Sequence, residues 1–182
     1  IASGKAMAGE NVSGDAGTML AVKASALEIK PLIAGITGVS IANINASNQI
    51  VLGGTTEGIT KVKTLLDTKK FRSVLLPVSA AFHTDCVGHA QKPFEKSIKA
   101  VKFLSPVLPV YSNFTGDAYP TQASEIKKIL AQHILNSVDF KSEIENMYAA
   151  GARVFVEFGP KSILTNLVKD ILADKEHFVV AT

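Results

Sequence analysis

Two histidines stand where acid–base chemistry could use them. His83 follows an apolar run, Ser73 to Val78, that reads as a strand, and it sits in the small-residue loop Ala80-Ala81-Phe82-His83-Thr84. Loops at the carboxyl ends of strands are where α/β sheets carry functional groups. A neutral imidazole there can take up a proton at working pH, so His83 is a candidate general base. Taken alone, a loop histidine is more often an ordinary polar residue. His133 falls on a predicted helix with Ile126, Ile129, Leu130 and Ile134, where a helix-face residue is the plainer reading. His89 and His177 read as surface or sheet-edge residues. These histidines are too scattered for a metal site, and no Asp/Glu pair has ligand spacing. The single cysteine, Cys86, excludes an internal disulfide and a Cys-based zinc site and suits a reducing cytoplasm.

A base needs a nucleophile to serve. None of the serines sits in a Gly-x-Ser-x-Gly elbow, so acyl transfer lacks its attacking group within these residues. No Gly-rich phosphate cradle is present either. Gly53-Gly54 is better explained as the end of a hairpin.

The elements that must hold these residues fall into two patterns. Thr18 to Ala24 reads as a strand, and Ser25 as the N-cap of a short helix. Val39 to Asn45 and Gln49 to Leu52 read as a hairpin around Asn45-Ala46-Ser47-Asn48, closed by Gly53-Gly54. Thr56 opens a helix with Ile59, Val62, Leu65 and Leu66 on one face. With Ser73 to Val78 the order is β-α-β-β-α-β over Gly17 to Val78, the split βαβ or ferredoxin-like pattern. Beyond it, a helix is predicted from Asp85 to Lys99 and a short strand from Val107 to Asn113. Further helices are predicted from Thr121 or Ser124 to Leu135 and from Lys141 to Ala150, the second ended by Gly151. Arg153 to Phe158 suits a buried parallel strand, Gly159-Pro160 turns into a helix from Ser162 to Ala173, and Phe178 to Ala181 is a last strand. Strand and helix alternate here, which predicts α/β with a mainly parallel sheet.

Composition narrows the class further. The chain has 182 residues, 47% of them apolar and 19% charged, enough to bury a core and too apolar for disorder. No apolar run approaches the roughly 20 residues that span a bilayer, and Ile1 to Glu10 is not a signal peptide. A net charge of +3, with lysines spread over predicted helix faces, reads as solvated surface and not as a nucleic-acid patch. A mildly basic surface could favour an acidic protein partner.

Several segments, in order, carry a family resemblance. The run Leu76-Pro77-Val78-Ser79-Ala80-Ala81-Phe82-His83-Thr84 resembles the catalytic-histidine segment of acyltransferase domains in fatty-acid and polyketide synthases. Gly4-Lys5-Ala6-Met7 resembles the stretch entering the small subdomain, and Ala42 to Gly54 the family's Asn-rich hairpin. His133 with Asn136-Ser137-Val138-Asp139-Phe140 matches the helix end that supports the base. Val156-Glu157-Phe158-Gly159-Pro160 matches the closing strand and turn, and Val87 to Phe94 is similar to the synthases of polyunsaturated fatty acids. The resemblance implies part of a hydrolase-like α/β acyltransferase fold, residues 1–16 and 79–182, with a ferredoxin-like small subdomain inserted over 17–78.

By resemblance, malonyl would pass from malonyl-CoA to the phosphopantetheine thiol of an acyl carrier protein through a seryl acyl-enzyme. No cofactor would be bound. His83 would be the base, the His133 carbonyl would orient it, Phe82 would narrow the acyl pocket, and Asn45 would touch substrate. The family's serine and oxyanion glutamine are expected before residue 1, so the chain alone is expected to be inactive and to leave apolar surface uncovered. Ser3 stands where the carboxylate-clamping arginine usually does, which favours acetyl, against Phe82, which favours malonyl; malonyl is retained. Expected partners are the carrier protein domain, a neighbouring ketosynthase domain and the upstream half of the same domain, in the cytoplasm, without nucleic acid or membrane. The alternatives are a non-catalytic carrier-docking or structural segment and an acetyl-specific transferase.

Overall fold

Alternating apolar residues in the first half build a sheet with two different faces. The computed structural model describes residues 14–182, so Ser3 and Gly4 to Met7 lie outside the described residues. Strand β1 (Thr18–Val22), helix α1 (Ala26–Ile33), strands β2 (Val39–Ala46) and β3 (Gln49–Gly54), helix α2 (Thr56–Thr68) and strand β4 (Ser73–Leu75) follow one another in the predicted order. The strands lie β4-β1-β3-β2, each antiparallel to its neighbour. A fifth strand from the second half, β5 (Val138–Asp139), adds parallel to β2 by pairing Asn43 with Val138 and Ile44 with Asp139.

Local chemistry sets the helix starts. The Glu28 carboxylate accepts from the Ser25 backbone N–H at 2.8 Å while the Glu28 N–H donates back to the Ser25 hydroxyl, a reciprocal cap that opens α1. The Thr55 hydroxyl accepts from the Gly58 N–H at 3.1 Å and opens α2. Both helices cover one sheet face, where Leu20, Val22, Ile29, Ile50, Leu52, Ile59, Val62 and Leu66 form the main core. Each fully buried Leu, Ile or Val there contributes about 1.5–3 kcal/mol. The intervening residues Met19 and Val51 turn to the opposite face and pack with Ala42, Ala81 and Phe82. The loop carrying His83 is thus seated on the sheet's second face.

Gly53-Gly54 does not end the hairpin but continues the ladder, with Gly53 opposite Met19 and Ser40. Two glycines are tolerated in the strand because other groups fill the room of their side chains. A Cβ on Gly53 would lie 2.7 Å from the Thr84 methyl, and one on Gly54 would collide with the Gly38 carbonyl.

The second half departs from prediction in three places. The single helix expected from Asp85 to Lys99 is a 3₁₀ segment, Asp85–Ala90, bent at Val87 (φ −100°, ψ 18°), followed by α3 (Gln91–Ala100). The strand expected from Val107 to Asn113 shrinks to one bridge, Tyr111 to Ala118. Pro109 removes a backbone donor from within that run, and Pro106 removes another just before it. Helices α4 (Ala123–His133) and α5 (Phe140–Ala149) form as expected. The Asp139 carboxylate caps the Ser142 N–H at 3.1 Å, and Gly151 at φ +105° ends α5.

Strands β6 (Val154–Glu157) and β7 (Phe178–Ala181) pair in parallel around α6 (Ile163–Ile171). The expectation of a buried β6 needs correction. Phe155 and Val179 pack on Ile144, Val168 and Leu172, but Val154 and Val156 face outward and stay exposed, because no described element covers that side.

Candidate active site

The His83 loop is fixed by its own backbone. The Ala81 N–H donates to the Ala16 carbonyl at 2.9 Å, the buried Thr84 hydroxyl donates to the Ala81 carbonyl at 2.6 Å, and the Cys86 N–H donates to that hydroxyl at 3.2 Å. Between these anchors His83 adopts φ +60°, a left-handed conformation that costs a non-glycine residue about 1–2 kcal/mol. The surrounding bonds hold it there.

Helix α4 supplies the partner. The His83 Nδ1–H donates to the backbone carbonyl of His133, the last residue of the helix, at 3.2 Å. A carbonyl only accepts, so the proton is assigned to Nδ1 and the lone pair to Nε2. Helix-terminal carbonyls lack an intrahelical partner, which leaves this one available to the ring. The Asn136 N–H also donates to the His133 carbonyl, at 3.3 Å. The chain beyond α4 is tied to the sheet by the Ser137 hydroxyl, which donates to the Ile41 carbonyl.

The two imidazoles are 5.1 Å apart between centroids and tilted by 31°. Burial, and then the nearness of His83, pushes the His133 side chain below the ordinary histidine range. Its Nε2 is buried without a hydrogen-bond partner among the described residues. His133 therefore contributes a carbonyl and a neutral ring.

Both rings line a cleft of about 550 Å³ between the sheet and helices α3 and α4. Met19 and Asn43 come from the strands, Phe82 from the loop, Phe94 from α3, and Leu130 and Ile134 from α4 and its end. The walls are mostly apolar, with Asn43 and the histidines as polar groups, the usual make-up of a small-molecule site. Asn45 is not among the lining residues. It is the extra residue of a bulge between Ile44 and Ala46, which breaks the alternation that would place it on the face of Asn43. Phe82 lines the cleft beside His83, and Ser3 lies outside the described residues. Sequence reading missed Asn43, Met19, Phe94 and Leu130. An asparagine inside an apolar strand was the available signal for the first; nothing local separates the others from core residues.

Among the described residues no three His, Cys, Asp or Glu side chains are grouped to hold a metal ion, and no helix is long and apolar enough to cross a membrane. The arrangement can take a proton from a hydroxyl or thiol entering the cleft and return it. Among the described residues Nε2 of His83 has no hydrogen-bonding nucleophile.

Known proteins share this arrangement of elements. The family model described as acyl transferase domain matches residues 4–182. The chain is 36% identical over 144 residues to a polyunsaturated fatty acid synthase polypeptide of Thraustochytrium, covering 78% of the chain and 5% of that protein. It is 36% identical over 140 residues to the polyketide biosynthesis malonyl CoA-acyl carrier protein transacylase PksC of Bacillus subtilis, covering 76% of the chain and 48% of that protein. A solved malonyl CoA-acyl carrier protein transacylase from Clostridium perfringens superposes with a TM-score of 0.90 at 28% identity, over 99% of this chain and 57% of that one. The chain thus spans about half the length of these two transacylases and a small part of the synthase polypeptide.

Proposed function

The chain belongs to the acyl transferase domain family, and from that premise we propose that it provides the base and acyl-pocket wall of a malonyl-CoA:acyl-carrier-protein transferase. The observation that carries the proposal is the Nδ1–H bond from His83 to the His133 carbonyl, which leaves the Nε2 lone pair free on a ring that lines a cleft of about 550 Å³.

A serine hydroxyl outside this chain's motifs would give its proton to Nε2 of His83 as its oxygen attacks the malonyl thioester carbonyl. The resulting imidazolium returns that proton to the departing CoA thiolate, leaving a malonyl ester on the serine. In the second half-reaction Nε2 takes the proton of the carrier's phosphopantetheine thiol, the thiolate attacks the ester, and the proton passes to the serine oxygen. The His133 carbonyl holds the ring in one tautomer through both halves. Phe82 narrows the cleft beside the base, which supports malonyl over larger acyl groups; a methylene-sized change in such a pocket is worth about 1–3 kcal/mol. Residues 17–78 would form the small subdomain and 1–16 with 79–182 part of the large one. A ketosynthase domain would be its neighbour in a synthase of polyketides or fatty acids.

Intact mass of the whole polypeptide, with the serine-bearing segment joined to this chain, before and after mixing with malonyl-CoA, and separately with acetyl-CoA, tests this. A malonyl increment that hydroxylamine removes is expected. An acetyl increment alone would reassign the substrate, and no increment from either would leave a carrier-docking or structural segment in its place.

A further inference from the structure

Three consecutive residues of β2, Ile41-Ala42-Asn43, touch both partners of the His83–His133 couple. Ala42 is fully buried and packs in one cluster with Ala81 and Phe82 of the loop that carries His83. The Ile41 carbonyl accepts the Ser137 hydroxyl, and Asn43 pairs with Val138 where β5 joins the sheet. A bulge falls at the same three residues. Ile41 stands opposite Leu52 and Asn43 opposite Val51, so Ala42 is extra. Bulges of this kind re-aim a strand's groups beside a site.

Ser137 lies four residues beyond His133. In the turn between them Ile134 is buried, the Asn136 side-chain amide donates to the Gln132 carbonyl at 2.7 Å, and the Asn136 N–H donates to the His133 carbonyl at 3.3 Å. The helix end is thus folded onto itself, and its position against the base depends on what holds it from outside. Among the described residues the Ser137 hydroxyl makes the side-chain hydrogen bond that joins residues 134–137 to β2. The bond it protects has little length to spare. At 3.2 Å the Nδ1–H of His83 is at the long end of the usual range, and a retreat of the carbonyl by about 0.5 Å would end it.

We infer that Ser137 is a positioning residue for the base: it pins the His133 carbonyl to the strand on which the His83 loop is seated, so that donor and acceptor share one footing. The inference rests on the proposed function for the reaction and adds what keeps the base ready for it. Ser137 acts through His133 and has no part in binding substrate. With the carbonyl withdrawn, the ring proton is free to sit on either nitrogen. A ring protonated at Nε2 cannot accept the proton of a hydroxyl or thiol there.

The test uses the whole polypeptide, serine-bearing segment included, with Ser137→Ala, Ser137→Thr and the control Ser25→Ala, which removes the cap of α1. Ser137→Ala should lower kcat for malonyl transfer about tenfold while KM for malonyl-CoA stays within about twofold. Ser137→Thr keeps a hydroxyl and should restore most of the loss. Ring-nitrogen NMR of neutral His83, assigned with His83→Ala, should show one tautomer, protonated at Nδ1, in the wild type and both tautomers in Ser137→Ala. Retention of the single tautomer in Ser137→Ala would overturn the inference, whatever happens to kcat. So would an equal loss of kcat in Ser25→Ala at the same drop in melting temperature, since the effect would then be one of stability alone. Wild-type protein that takes no malonyl group would sink the underlying function, while the tautomer comparison would still decide the role of Ser137.

Discussion

His83 and His133 are joined twice: the backbone carbonyl of one accepts the Nδ1–H of the other at 3.2 Å, and their rings stand 5.1 Å apart. The first link is independent of the side chain at position 133, and the second is not. Substitutions can separate them. His83→Ala should lower kcat/KM for malonyl transfer by about 10²- to 10⁴-fold, the usual contribution of a positioned base. His133→Gln keeps the carbonyl and should retain activity within a few-fold. A loss in the Gln variant as deep as that in His83→Ala would show that the ring, not the carbonyl, holds the base.

The same ring gives a pH signature in stability. His133 is depressed below its ordinary value of 6.5 by burial, so the folded state favours its neutral form. The unfolded chain binds more protons at acid pH, and stability is lost as pH falls below 6.5 toward the folded value. Melting temperatures of wild type and His133→Gln should converge or cross on acidification, with the wild type losing more. Parallel curves from pH 8 to pH 5 would contradict this.

Glu143 titrates with the opposite sign. It is buried, one carboxylate oxygen lacks a partner among the described residues, and burial followed by the charge of Asp139 raises it to about 7 from 4.5. The fold favours the protonated acid, so this group's contribution is present below pH 4.5 and is lost as pH rises through about 7. Glu143→Gln should stabilise the protein at pH 8 by up to about 3 kcal/mol and do little at pH 4. Chemical denaturation at the two pH values measures the difference, and an equal effect at both would refute it.

Gly53 couples the sheet to the base. A methyl there would come within 2.7 Å of the Thr84 methyl and 3.3 Å of Ala42, and the Thr84 hydroxyl anchors the His83 loop at Ala81. Gly53→Ala should cost about 1–3 kcal/mol and also reduce transfer. Thr84→Ser removes the clashing methyl and keeps the hydroxyl. Added to Gly53→Ala, it should restore much of both losses; strict additivity in the double-mutant cycle would exclude the contact as the cause.

Much of this was legible because local rules and the fold agree. The βαββαβ order followed from the apolar runs around Leu20 and Leu52, the turn at Asn45 to Asn48 and the cap at Ser25, all short-range signals; the second helix was expected to open at Thr56, and its cap is Thr55. The bend at Val87 and the failed strand at Pro109 depend on competition between local and long-range bonding, which periodicity does not register. The bulge at Asn45 is a cross-strand feature with no trace in one strand's sequence. His83 was picked out by its loop, but its link to His133, fifty residues on, entered only by resemblance. Uncovered apolar surface was expected, but its place on β6 was not, since a continuous apolar strand reads the same whether one or both faces are covered.

The backbone of His83 at φ +60° sets activity against durability. Glycine adopts that conformation without the side-chain penalty, so His83→Gly would relax the loop by about 1 kcal/mol while removing the base. Any selection that rewarded heat resistance alone would drift toward losing the histidine. Its retention in a laboratory evolution for thermal tolerance would therefore need a simultaneous demand for malonyl transfer.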